Sequence, residues 1–167
     1  MDKHDRSPLK NISLANPWHL IAVGFGSGLF PKAPGTFGSL AALPLCMILI
    51  YQSLTVQLIV IAATFLIGWY ASYVTEKAMG MHDNSSIVID EFLGMFVSCF
   101  AFPESWYFAF VAFVLFRIFD ILKPFPVSYA DKKIGGALGV MLDDLLAGIY
   151  ALLCAQLMFF GGVFGNF

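Results

Sequence analysis

Five apolar runs, separated by short polar breaks, set the limits on how this chain can fold. Residues 54–75 are interrupted only by Gln57 and hydroxyl side chains. Residues 37–51 precede that run, and 85–102, 106–122 and 145–160 follow it. About 20 apolar residues cross the hydrocarbon of a bilayer. Residues 54–75 meet that length unaided, and the first run meets it only if its glycine-rich approach is included. A chain of 167 residues makes one domain and little more. It cannot hide, within itself, the apolar surface of a sequence that is 59% hydrophobic and 12% charged. Soluble domains carry about 25% charged residues. The expected fold class is therefore all-α: a compact helical membrane domain in which lipid replaces water and helices satisfy their own backbone groups.

The organisation follows from charge. Residues 1–16 read as a polar N-terminal tail and 17–167 as a single helical domain. Residues 1–17 lack the apolar core of a secretory leader, so the start is expected to be retained. Spans of about 35–52, 54–75, 86–103, 105–123 and 142–161, with the N-terminus inside, put every lysine and arginine on the cytoplasmic side or at its edge. Glu104 is then the only outside charge, as the positive-inside rule requires. A net charge of −2 argues against non-specific nucleic-acid binding, which relies on many basic contacts. Cys46, Cys99 and Cys154 each lie inside an apolar run, without metal-ligand spacing, and read as small buried hydrophobes. No obligate protein partner is implied.

The same topology collects the intramembrane charges at one depth. Asp90 and Glu91 start the third span, Arg117 and Asp120 end the fourth, and Asp143 and Asp144 open the fifth. At 1.5 Å per residue all lie within roughly 10 Å of the cytoplasmic interface. His82 and Asp83 precede the third span there, and Asp131 lies in the loop between 124 and 141. Ionisable groups inside a membrane are costly and mark function. Five carboxylates exceed what Arg117 can neutralise, so protons or a cation must be present. All-oxygen ligation suits magnesium, and His82 adds a nitrogen ligand or a proton carrier. For Asp143 and Asp144 the plainer alternative is stabilisation of a helix start.

Arg117, Asp120 and Lys123 fall along one helical face. Arg117 can grip a phosphate with two hydrogen bonds while Lys123 sits at headgroup depth; the plainer alternative is an Arg117–Asp120 pair beside a snorkelling lysine. Residues 20–40 hold five glycines with Pro31 and Pro34, too broken for an ordinary spanning helix. Thr36, Ser39 and exposed amides there can bind an anion. The implied substrate is anionic at its head, apolar at its tail, and approached from the cytoplasmic leaflet. A phospholipid phosphate monoester meets all three demands, with metal-assisted attack on phosphorus by water or by an aspartate nucleophile.

Four ordered blocks carry a resemblance: NPWHLIAVGFGSGLFPKAPGTFGSLAA at 16–42, MGMHDNSSIVIDEFLGM at 79–95, FRIFDILKPFPVSYADK at 116–132 and GGALGVMLDDLLAG at 135–148. Over nearly its whole length the chain resembles the phosphatidylglycerophosphatase A family. The resemblance implies a magnesium-dependent enzyme of the bacterial inner membrane that converts phosphatidylglycerophosphate to phosphatidylglycerol. It moves Asp83, Asp90, Glu91, Asp120, Asp143 and Asp144 toward catalytic use. The expected roles are catalysis by His82, Asp83, Asp120 and Asp144, and metal ligation by Asp90, Glu91 and Asp143. Substrate binding falls to Lys32, Gly35, Thr36, Ser39, Arg117 and Lys123. Three rivals are weaker. An ion or proton transporter needs a polar path beyond the one acidic layer. A cytidine-lipid phosphatidyltransferase needs a DG…AR…G…D…D spacing that is not found in residues 120–144. A non-catalytic assembly subunit leaves the acids without a purpose.

Overall fold

A computed structural model of the chain describes residues 7–160, apart from the side chains of residues 7, 8, 130–132 and 160. Lys3 and Arg6, which helped to orient the N-terminus, lie outside the described residues, as does residue 161 of the last expected span. Among the described residues all regular structure is helical. Helices α1 (Pro17–Ala22), α2 (Pro34–Leu49), α3 (Leu54–Met79), α4 (Ile89–Ser98), α5 (Trp106–Leu122), α6 (Val127–Lys133) and α7 (Gly136–Phe160) are joined by short links, with 3-10 turns at Ser7–Asn11 and Gly24–Leu29.

Local signals account for the boundaries. Asn16 Oδ1 accepts from the Trp18 N–H and caps α1, and Ser53 Oγ does the same for α3 through Val56. Pro34 opens α2, where its missing N–H costs nothing. Gly80, in the left-handed conformation (φ 65°), closes α3. Gly24, Phe25 and Gly26 all have positive φ, which breaks the glycine-rich segment before α2.

Two of the expected spans change. The third, 86–103, contains only a ten-residue helix, α4, with all ten residues buried. At 1.5 Å per residue it is about 15 Å long, half the hydrocarbon thickness. It is the core of the bundle, packed by α2, α3, α5 and α7. The connection at 124–141 is itself largely helical: α6 fills part of it and α7 starts at Gly136. Asp143 and Asp144 therefore do not open the last helix. They lie two turns inside it, beyond the first turn in which a helix start stabilises acids.

α3 shows which solvent the bundle is made for. Its buried face holds Gln57, Gly68, Ala71, Ser72, Thr75 and Glu76. Its exposed side holds Leu58, Ile59, Leu66, Trp69 and Tyr73. Small and polar inside with large and apolar outside is the packing of a helix in lipid, where small residues let backbones approach. α3 and α7, of 26 and 25 residues, are long and apolar enough to cross a membrane.

Candidate active site

The crossing of α4 and α7 sets the site. A Cβ on Gly148 would lie 2.6 Å from the Gly94 carbonyl oxygen, and one on Gly94 would lie 2.3 Å from the Phe116 ring. Four residues before each glycine stands an acid, Asp90 on α4 and Asp144 on α7. Residues four apart share a helix face, so the contact that excludes side chains at Gly94 and Gly148 also turns both acids into one cavity.

α5 and α2 complete the layer. Arg117 Nη1 donates to Glu91 Oε2 at 2.5 Å and meets Asp120 Oδ2 at 2.9 Å. Ser39 Oγ donates to the same Glu91 oxygen at 2.6 Å. Gly35 makes room for that carboxylate, since a Cβ there would lie 2.1 Å from Glu91 Oε1. On the other side, Asp120, Asp143 and Asp144 each offer an oxygen, and the three lie within 4.8 Å of one another. Lys123 Nζ donates to Asp143 Oδ2.

A cavity of about 570 Å³ opens over these groups, bounded by the start of α2, residues 82–87, the end of α5 and residues 134–144. Small-molecule sites run from about 300 to 1,000 Å³. Among the described residues that line it, six carboxylates (Asp83, Asp90, Glu91, Asp120, Asp143, Asp144) face two permanent cations, Arg117 and Lys123. Asp90 Oδ1 and Asp144 Oδ2 are buried without a hydrogen-bond partner among the described residues. Buried carboxylate oxygens need a proton, a donor or a metal. Hard, oxygen-only donors at this spacing fit a divalent cation such as magnesium. No side chain caps the start of α2, and Pro34, Gly35 and Thr36 face the same space, as an anion-binding helix terminus would.

The expected site residues are thus gathered with two exceptions. Gly35, Thr36, His82, Asp83, Asp90, Glu91, Arg117, Asp120, Lys123, Asp143 and Asp144 line the cavity. Ser39 lies beneath it against Glu91. Lys32 is exposed and is not among the lining residues. Glu91, expected as a metal ligand, is engaged by Ser39 and Arg117, whereas Asp120 takes its place in the close acidic group. The side chain of Asp131 lies outside the described residues.

One residue escaped the sequence reading. Glu76, 3% exposed in the last turn of α3, accepts from the Asp83 N–H at 2.9 Å through Oε1 and meets His82 Nδ1 at 3.1 Å through Oε2. An acid at a helix C-terminus opposes the helix dipole. Beside the stop signal at Gly80, that misplacement was the available clue.

Outward apolar helices around an acidic, cation-ready cleft at one end define the class of membrane enzymes that work on charged headgroups. The phosphatidylglycerophosphatase A family profile matches residues 20–159, and the chain belongs to that family. It is 52% identical over 151 residues to phosphatidylglycerophosphatase A of Haemophilus influenzae, covering 89% of this chain and 93% of that one. It is 40% identical over 163 residues to the Escherichia coli protein of the same name, covering 97% and 93%. A Bacteroides thetaiotaomicron protein, provisionally named a phosphatidylinositol-3-phosphatase, is 41% identical over 143 residues, covering 80% and 88%. No solved structure matches the chain.

Proposed function

We propose that the chain removes the terminal phosphate of phosphatidylglycerophosphate to give phosphatidylglycerol, at the cytoplasmic face of a bacterial inner membrane. The observation that carries this reading is the group Asp120, Asp143 and Asp144 beneath a cavity that also holds Arg117 and Lys123. A phosphomonoester needs cations on its oxygens, and this cleft supplies two directly and the ligands for more.

Asp120, Asp143 and Asp144, with Asp90 behind them, would hold magnesium. When bound, the ion supplies Lewis-acid polarisation of the phosphoryl group. Arg117, kept rigid by Glu91 and Ser39, takes phosphate oxygens, and the amides at the start of α2 take another. Lys123, at the mouth, meets the headgroup. A water oxygen bonds to phosphorus and gives up a proton, the bond to the lipid's glycerol oxygen breaks, and that oxygen takes up a proton in turn. His82, on the rim with its side chain 81% exposed, is placed to exchange that proton with solvent. Asp83 lies beside it and orients the water.

The membrane arrangement belongs to the same proposal. In this reading there are five membrane-associated helical segments, with α4 enclosed by the others, the acidic layer faces the cytoplasm and Glu104 lies outside. The positive-inside distribution supports this orientation. Transport is disfavoured by the fate of Gln57, the one amide in the apolar run of α3. Its side chain donates to the Gln52 carbonyl and accepts from the Ala101 N–H, so it ties loops together.

Phosphate release by purified protein from phosphatidylglycerophosphate, with and without magnesium, tests the reading. Phosphatidic acid and phosphatidylinositol 3-phosphate serve as competing substrates. Release is expected from phosphatidylglycerophosphate and only with the metal; no release under either condition, with lipid still bound, would sink it. Labelling of a cysteine at position 104 from the cytoplasmic side alone would overturn the orientation.

A further inference from the structure

The geometry points to Glu76 as a positioning residue that shapes the loop of residues 80–84 and so fixes how Asp83 and His82 face the phosphate; this rests on the phosphatase reading above. Glu76 is 3% exposed and sits in the last turn of α3, beside Lys77. Its carboxylate is directed into the loop that follows. Oε1 accepts from the Asp83 backbone N–H at 2.9 Å, and Oε2 lies 3.1 Å from His82 Nδ1. Its own carbonyl accepts from the N–H of Gly80 and of Met81. One residue therefore holds the loop from four directions.

The loop needs holding. Gly80 and Asp83 both have positive φ, 65° and 54°, and for Asp83 that conformation is disfavoured by its Cβ. A hydrogen bond from the Asp83 amide to a buried carboxylate compensates for that strain. The contact with His82 Nδ1 ties the ring to the same side chain; the tautomer sets which atom holds the proton, and an amide at position 76 can donate where the carboxylate accepts. The start of α7 closes the arrangement: a Cβ on Gly136 would lie 3.8 Å from Glu76 Oε2 and 3.9 Å from His82 Nδ1. Loop, rim histidine and the helix that carries Asp143 and Asp144 thus meet at one carboxylate.

The role depends on reach rather than on charge, and a pair of substitutions separates the two. Gln at 76 keeps the length and an oxygen that can accept from the Asp83 N–H. Asp at 76 keeps the charge but is one methylene short. Expected are kcat within about threefold of wild type for Glu76→Gln and a fall of about 10–100-fold for Glu76→Asp, with KM for the lipid little changed in both. The reverse order would overturn the proposal and make Glu76 an electrostatic group. Amide hydrogen exchange over residues 80–84 gives a readout that does not depend on turnover. Protection at Asp83 is expected to persist in Glu76→Gln and to drop in Glu76→Asp; equal protection in both and in wild type overturns the loop role. If wild type itself releases no phosphate, the phosphatase reading fails while the exchange measurement still decides what Glu76 does to the loop.

Discussion

The acidic layer is made of two unlike halves. Glu91 is buried and satisfied: Ser39 and Arg117 both donate to it, and Gly35 is cut back to admit it. Asp143 and Asp144 are buried, Asp120 is half-buried, and the three are crowded, with oxygens within 4.8 Å of one another; Asp144 Oδ2 and the neighbouring Asp90 Oδ1 have no donor among the described residues. Like charges at that range resist joint ionisation. The first half is a finished structure that holds an arginine still. The second is paired only in part, Asp120 with Arg117 and Asp143 with Lys123, while Asp144 Oδ2 has no donor among the described residues. Glu91 and Asp144 therefore have opposite relations to stability, and mutation can separate them.

The largest effect falls on the crowded half. D144N and D120N each remove a carboxylate of the proposed metal site and are expected to lower turnover on the order of 10³-fold. In metal-free protein D144N also relieves repulsion, so its thermal unfolding is expected at or above the wild-type temperature. Unfolding and turnover measured on the same preparations check this. Near-normal turnover removes the residue from the site, and a large loss of stability would mean that Asp144 is a paired structural acid like Glu91.

Metal addition sharpens the contrast. Magnesium at about 100 times its Kd is expected to stabilise wild type by about 2.7 kcal/mol through binding to the folded state alone. D144N should gain much less, whereas E91Q should gain as wild type does. Thermal melts in detergent with EDTA and with magnesium decide it. Equal gains for wild type and D144N would place the ion elsewhere.

The satisfied half predicts the opposite signature. E91Q leaves Arg117, whose side chain is 15% exposed, with Asp120 as its one remaining acidic partner. Breaking a buried pair costs about 3–5 kcal/mol, and Asp120 retains part of that, so a loss of about 2 kcal/mol is expected. G35A should act through the same contact, since its methyl would occupy the position of Glu91 Oε1. Overpacking of this kind costs about 1–3 kcal/mol. Denaturation of both variants checks the pair, and no loss in either would mean that Glu91 is free to serve the metal.

What the sequence reveals of this contrast is uneven. That the chain is helical and lipid-adapted was legible, because apolar runs of 15–22 residues leave little alternative. That Asp90, Arg117, Asp120, Asp143 and Asp144 come together was legible too, because helical rise converts position into height; all five line one cavity. Which acid pairs with which partner was not, since it depends on rotation about helix axes. The crossing at Gly94 and Gly148 decides that, and so does the start of α7 at Gly136 rather than near 142. α4 was misjudged in length because a helix buried on every side is as apolar as one that spans lipid. Glu76 was missed because its partners, the Asp83 amide and the His82 ring, become neighbours only once the chain turns at Gly80.

The smallest expected effect concerns the two lysines near the cleft. Both were read as substrate-binding residues, and distance from the acidic group separates them. Lys123 closes α5 in the left-handed conformation, lines the cavity and donates to Asp143. Lys32 precedes α2, is exposed, and lies outside the lining residues. An exposed lysine in water at the membrane surface contributes through long-range attraction, which salt screens within about 10 Å at 0.1 M. K32A should therefore change KM by less than about threefold at low salt and not measurably at high salt. K123A should raise KM at both, because its contact with the headgroup lies inside the cleft where screening is weak. Kinetics on mixed micelles across a salt series check this. A salt-independent rise in KM for K32A would put Lys32 on the phosphate and extend the site onto the loop before α2.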